Sequence, residues 1–134
     1  ASDARGQRDT WDLVRRWAAP ALLGAWLFFL TGLIAALAVF GRHYPMRWDW
    51  IFVFSGGATL VLAHGTLSAI YSARDFSGLR VSVIGGLLTG IGNASLAAWL
   101  IPVYGVAGAA ASLALAFVLG LVFFLSVRAS ESGA

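Results

Sequence analysis

Residues 81–127 read VSVIGGLLTGIGNASLAAWLIPVYGVAGAAASLALAFVLGLVFFLSV, without one charged side chain. A helix needs only about 20 apolar residues to cross about 30 Å of hydrocarbon, because it rises about 1.5 Å per residue. This run is long enough for two crossings. Its strongest break is Pro102, which cannot continue the hydrogen bonding of the helix before it. The stretch therefore predicts two membrane spans that meet in a short turn near Pro102.

Two further apolar spans precede this pair. The four spans cover approximately residues 18–40, 50–73, 81–101 and 105–127. Hydrophobic residues make up 60% of the chain and charged residues only 11%, too few for the surface of a water-soluble domain. Backbone groups in lipid must be satisfied within a segment, and strand-like alternation is missing, so we predict helices. The expected protein is all-α and integral to the membrane, with a cytoplasmic polar segment at 1–12, a four-helix transmembrane domain at 13–128 and a cytoplasmic tail at 129–134.

The arginines predict the orientation of these spans. All nine basic residues are arginine, and they lie outside or at the ends of the spans. An even number of spans places both termini on one side, and that side carries seven arginines against two on the other. The positive-inside rule then predicts that both termini are cytoplasmic, together with the loop that holds Arg74 and Asp75. Aromatic residues near the span ends, such as Trp17, Tyr71 and Trp99, are expected at the two membrane interfaces.

Composition also limits the chemistry. The chain has no cysteine, which excludes disulfides and thiolate chemistry. No paired carboxylates, nucleophile with a neighbouring base, phosphate-binding glycine loop or metal-ligand spacing is present. The basic residues do not form the clustered patch of a nucleic-acid-binding domain. We therefore expect no enzyme activity, no cofactor, no metal and no nucleic-acid partner.

Small residues indicate where the helices approach one another. Gly86 and Gly90 are spaced four apart, and Gly105 and Gly108 lie at the start of the fourth span. Spacing of this kind lets the backbones of membrane helices come close. We predict that these four glycines serve helix packing.

Two polar residues within the spans are candidates for a substrate or ion path. His64 is the one ionisable residue well inside a span, and Asn93 lies in the third span. Buried polar groups in membranes are costly and are often functional, but each of these side chains can equally bond to a neighbouring helix. Asn93 extends the Gly86–Gly90 stripe, which favours packing. His64 has no such neighbours and is the better candidate for a cavity.

A known family shares part of this pattern. The stretch NASLAAWLIPVYGVAGAA at residues 93–110 has an Asn, then Leu-Ile-Pro-x-Tyr-Gly, then Gly-Ala-Ala at the start of the next helix. Residues 39–44, VFGRHY, contain a Phe-Gly-x-x-Tyr element, and Arg80 precedes the third span. In order and spacing these elements resemble polysaccharide flippases of the multidrug/oligosaccharidyl-lipid/polysaccharide exporter superfamily. The resemblance covers approximately residues 13–128.

The resemblance implies a MATE-like fold of two lobes that rock about a central hydrophilic cavity. It also implies translocation of lipid-linked oligosaccharide or polysaccharide precursors across the cytoplasmic membrane of a bacterium. The partners would be membrane lipids, the lipid-linked sugar and the remaining helices of the transporter. Members of the family have twelve or fourteen helices, so these four correspond to the C-terminal part of such a flippase.

This chain departs from the family in two respects, and two alternative functions stay open. The family has more helices, and it often has a glycine where this chain has Tyr71-Ser72-Ala73. One alternative is a stand-alone four-helix protein that acts as a small homo-oligomeric exporter. Small multidrug exporters carry an acidic residue in the first helix, and the first span here has none. Another alternative is an accessory or scaffolding protein of a glycan pathway.

Overall fold

The described residues form four long helices. The computed structural model describes the backbone of residues 2–41 and 47–132, and the side chains of residues 11–41 and 47–131. The helices are α1 (Ser2–Phe40), α2 (Trp48–Ser72), α3 (Phe76–Tyr104) and α4 (Val106–Ser132). The Phe-Gly-x-x-Tyr element extends past Gly41, and its tyrosine, Tyr44, lies outside the described residues.

Each helix contains a segment long and apolar enough to cross a membrane. These segments are Trp11–Phe40, Trp48–Ser72, Phe76–Tyr104 and Val106–Glu131. The prediction of an all-helical chain with four such segments is confirmed. The helices are longer than the predicted spans. In particular, α1 begins at Ser2, so residues 2–12 of the predicted polar segment are helical and continuous with the first span.

The helix ends have local chemical causes. Asp75 has extended backbone, and its side chain accepts a hydrogen bond from the amide of Gly78 at 2.7 Å, which caps the start of α3. At the other end of α3, Gly105 has a φ of 58°, and its amide donates to the carbonyl of Ile101 at 2.7 Å. A residue with a side chain is strained in this conformation, so glycine permits the immediate start of α4.

Helix α2 is the centre of the assembly. It packs against α1, α3 and α4, and α3 and α4 form the most extensive interface as an antiparallel hairpin. The start of α1, the end of α2 and the end of α4 meet at one end of the bundle. There the Trp11 ring lies 5.8 Å from the Tyr71 ring, and Arg74 binds Glu131 at 2.9 Å. Both ends of the described chain therefore lie at the same end of the bundle.

The distribution of apolar side chains fits a lipid environment. The fully buried large side chains include Ile51 near the start of α2, and Tyr71 near its end, where it stacks on Phe124. Many large apolar side chains point outward, among them Phe28 at 73% and Trp99 at 72% exposure. Soluble monomers rarely expose so much continuous apolar surface. Lipid as the surrounding solvent accounts for it.

Candidate functional site

His64 of α2 lies where α2, α3 and α4 meet. It is 8% exposed, and its Nε2 atom is 3.1 Å from the hydroxyl oxygen of Thr89 on α3. The Thr89 hydroxyl also donates to the carbonyl of Gly85 at 2.9 Å. A hydroxyl has one proton to donate, so this oxygen is left to accept the Nε2 proton of His64. The result is a short chain of hydrogen bonds from α2 into the backbone of α3.

A glycine on α4 makes room for this contact. A Cβ atom at Gly120 would press against the Thr89 hydroxyl and would lie only 2.7 Å from the imidazole Cδ2 of His64. Such distances are too short for ordinary contact, so Gly120 is required if the two side chains are to stay where they are. Small residues commonly permit close approach in membrane helices. The glycine that matters here lies on α4, opposite the polar pair.

Aromatic rings enclose the imidazole. The ring centroids of Phe117 and Phe124 each lie 5.2 Å from that of His64. Phe124 in turn stacks on Tyr71 at 5.4 Å, and the Tyr71 hydroxyl donates to the carbonyl of Phe124 at 3.1 Å. An aromatic column thus runs from His64 towards the end of the bundle that holds both chain ends. Tyr71 is fully buried between the helices, where its hydroxyl has a hydrogen-bonding partner, and its predicted position at the membrane interface stays a prediction.

The column ends in a cluster of charged and aromatic side chains. Arg128 lies over the Trp11 ring at 4.2 Å, and Arg74 lies over the Tyr71 ring at 5.4 Å. The side chain of Arg74 is 20% exposed and is paired with Glu131. Arg74 therefore joins the α2–α3 loop to the end of α4. Charge pairing and cation–π contact together hold three helices at this end.

The hydroxyl and carboxylate groups near the α2–α3 loop add two local contacts. Ser68 and Ser82 share a hydrogen bond of 2.6 Å between α2 and α3. Asp75 accepts from the Gly78 amide and from the Ser77 hydroxyl, and these hydrogen bonds hold the pKa of its carboxyl below the ordinary value. Both contacts fix the sharp reversal between the helices.

Asn93 has a different environment from His64. It lies one turn beyond Thr89 on α3 and is partly exposed. None of the hydrogen bonds among the described residues involves its side chain. An amide in lipid without a partner is costly, so Asn93 requires water or a group beyond the described chain. His64 therefore has a hydrogen-bonding partner on a neighbouring helix, whereas the amide of Asn93 has none among the described residues.

The four predicted packing glycines divide into two groups. Gly86 and Gly90 are exposed, and an added Cβ at either would meet no atom within 4 Å. The packed stripe of α3 is offset from them and contains Ser82, Gly85 and Thr89. By contrast, Gly108 is buried, and a Cβ there would press on the carbonyl of Leu100. Within the described chain, Gly86 and Gly90 do not pack against another helix, whereas Gly108 closes the α3–α4 hairpin and Gly105 forms its turn.

An apolar cleft lies between α1 and α2. Its volume is about 330 Å³. The lining residues are Phe28, Phe29, Gly32, Leu33, Ala36, Phe54, Ser55 and Ala58. Neither His64 nor Asn93 lines it. The cleft does not have the polar lining that a path for a sugar or an ion requires.

Several residues of this site were not predicted from the sequence. Thr89, Gly120 and Phe124 complete the surroundings of His64, but hydroxyl groups, glycines and phenylalanines are common in apolar spans. The Thr89 hydroxyl bonds to the backbone four residues earlier, as other hydroxyls in these helices do, so the sequence gives no signal that singles it out. The described residues include no group of His, Asp and Glu side chains that could hold a metal ion.

No protein-family model, curated protein or solved structure matches this chain. The helices nevertheless indicate the class of multi-pass membrane proteins. The described chain is all-helical, with four segments suited to multiple membrane crossings.

Proposed function

We propose that these four helices belong to a flippase that moves lipid-linked oligosaccharide or polysaccharide precursors across the cytoplasmic membrane by alternating access. The observation that carries the proposal is the turn between α3 and α4. The sequence of this turn lies within residues 93–110, the stretch that resembles the flippases. In the fold, Gly105 has a φ of 58°, and Gly108 lies against the carbonyl of Leu100.

The shape of the turn explains why proline and glycine occur at these positions of the element. Pro102 lies in the last turn of α3, where the helix is about to end. Gly105 reverses the chain, and Gly108 lets α4 return directly along α3. A motif whose glycines fix one particular hairpin is more specific than a general richness in glycine. This supports the flippase assignment over a four-helix protein of unrelated design.

The four helices would supply part of one lobe. The His64–Thr89 contact joins α2 to α3, and the Phe117 and Phe124 rings of α4 pack on the imidazole, so the three helices are linked as a lobe that moves rigidly requires. In this proposal His64 is a positioning residue and does not contact the substrate. Asn93, whose amide has no partner among the described side chains, is the residue that faces the polar path or the remaining helices.

Complementation tests this function. The chain expressed alone in a flippase-deficient strain should insert into the membrane but leave surface polysaccharide absent. A chimera in which it replaces the last four helices of a working flippase should restore surface polysaccharide. Full restoration by the chain alone would favour the homo-oligomeric exporter. A chimera of normal abundance that transports nothing would count against the flippase assignment.

Two variants of the chimera separate the roles of the polar residues. Asn93→Ala should lower transport while protein abundance stays unchanged. His64→Ala should lower abundance, because it removes a packing contact between three helices. The opposite pattern would place His64 on the substrate path and Asn93 in the packing.

A further inference from the structure

The outward face of α3 combines a cation with an apolar surface. Arg80 lies one turn after Phe76, and its guanidinium is 5.1 Å from the centre of the Phe76 ring. Phe76 is 70% exposed, and Arg80 is exposed as well. The side chains of Val83, Leu87 and Ile91 are also more than half exposed.

These residues share one side of the helix. The steps from Phe76 to Arg80, Val83, Leu87 and Ile91 are four, three, four and four residues, which keeps them on one face. The face that packs on the other helices contains Gly78, Ser82, Gly85 and Thr89 and points elsewhere. The Arg80 face is therefore directed away from the bundle.

The charge of Arg80 is not neutralised within the described residues. The ion pairs among them join Arg47 to Asp49 and Arg74 to Glu131. The nearest acid in sequence, Asp75, accepts hydrogen bonds from the Gly78 amide and the Ser77 hydroxyl. Exposed Arg15 and Arg16 add positive charge at the same end of the bundle, with exposed Asp12 as the opposing charge nearby on α1.

We propose that the Arg80 guanidinium, held over the Phe76 ring, binds the headgroup phosphate of an anionic phospholipid, with one acyl chain along Val83, Leu87 and Ile91. The dimensions agree. Ile91 lies about 16 Å along the helix from Arg80, which is close to half of the hydrocarbon thickness of about 30 Å. Arg80 would lie at the membrane interface, opposite the charged headgroup of a lipid. The exposed apolar side chains that follow it extend over the depth of one leaflet, which is the length of an acyl chain. The inference depends on membrane insertion and is independent of the flippase assignment.

Lipid retention by the purified full chain tests the site. The chain is held in micelles that contain equal amounts of phosphatidylglycerol and phosphatidylcholine, and the lipids that stay bound are counted by native mass spectrometry. The parent should retain phosphatidylglycerol in preference. Arg80→Gln should lower that retention about fivefold, the effect of about one basic contact at a membrane surface. Arg80→Lys should keep most of it, and Arg47→Gln, at the other end of the bundle, should not change it.

Four outcomes would overturn the proposal. The first is equal retention of the two lipids by the parent, which needs no variant to be folded. The second is unchanged phosphatidylglycerol retention in Arg80→Gln. The third is an equal loss in Arg80→Lys and Arg80→Gln, which would assign the effect to something other than charge. The fourth is a changed oligomeric state of Arg80→Gln with unchanged bound lipid, which would identify this face of α3 as a protein interface.

Discussion

The Nε2 atom of His64 on α2 lies 3.1 Å from the hydroxyl oxygen of Thr89 on α3, in a place that Gly120 of α4 leaves open. One polar contact therefore involves three of the four helices. The Thr89 hydroxyl also lies within hydrogen-bond distance of the Gly85 carbonyl of its own helix, at 2.9 Å. This relationship supports the proposal that His64 is a positioning residue, and it gives Thr89 and Gly120 testable roles.

The energy of the His64–Thr89 contact is the first prediction. In a double-mutant cycle with His64→Leu and Thr89→Val, the coupling energy should be about 0.6 kcal/mol and no more than about 1.7 kcal/mol, the range found for hydrogen bonds between membrane helices. Reversible unfolding of the purified chain in mixed micelles measures it. A coupling energy of zero would mean that the two side chains do not act as a pair.

The space at Gly120 gives the second prediction. Gly120→Ala should lower the free energy of unfolding by about 1–3 kcal/mol, because the new methyl group overpacks the His64–Thr89 contact. Gly90→Ala is the matched control, since its Cβ would meet nothing within 4 Å. The control should be neutral or slightly stabilising, as alanine is the better helix former. Equal effects of the two variants would contradict this placement of α4.

The exposed glycines of α3 give the third prediction. Gly86→Leu and Gly90→Leu should leave the isolated chain as stable as the parent, because both side chains would project away from the bundle. Gly108→Leu should unfold it or sharply reduce its abundance, because the side chain would displace the α3 backbone at Leu100. Thermal unfolding in detergent measures all three. Severe destabilisation by Gly86→Leu would show that this face packs after all.

The cap of α3 gives a prediction about pH. Hydrogen bonds from the Gly78 amide, and then from the Ser77 hydroxyl, lower the pKa of Asp75 from its ordinary value of 3.8. The stabilisation is therefore present above the ordinary pKa and is lost as the pH falls through the lower pKa of the folded state. Asp75→Asn, which still caps a helix, should remove this part of the acid sensitivity. A melting temperature of Asp75→Asn that falls with acid as steeply as the parent's would contradict it.

The sequence predicts the number and type of elements well, for a clear reason. The thickness of the bilayer sets a minimum length for each span, and that length is visible in the apolar runs. The turn at Gly105 was equally visible, because Pro102 and the glycines that follow leave few alternatives.

The packed faces could not be predicted in the same way. In lipid the outward side of a helix is as apolar as the inward side, so no contrast marks the interface. Gly85 and Gly86 are adjacent in sequence, and only Gly85 contacts another helix, where a Cβ would meet the Phe124 ring at 2.6 Å. The sequence pattern pointed to Gly86 and Gly90, which meet no other helix among the described residues, so their role in packing stays a prediction. For the same reason it placed Asn93 in the packing and His64 at the cavity, the reverse of what their contacts favour.

Every proposal above requires that the four helices cross a membrane with both termini on one side, and reporter fusions test that requirement most directly. A reporter active only in the cytoplasm and one active only outside it are each fused after Ala134 and inserted between residues 42 and 47. The cytoplasmic reporter should be active after Ala134, and the external reporter should be active in the loop, because seven arginines lie on the first side and two on the second. Activity of the same reporter at both positions would contradict the four-span arrangement.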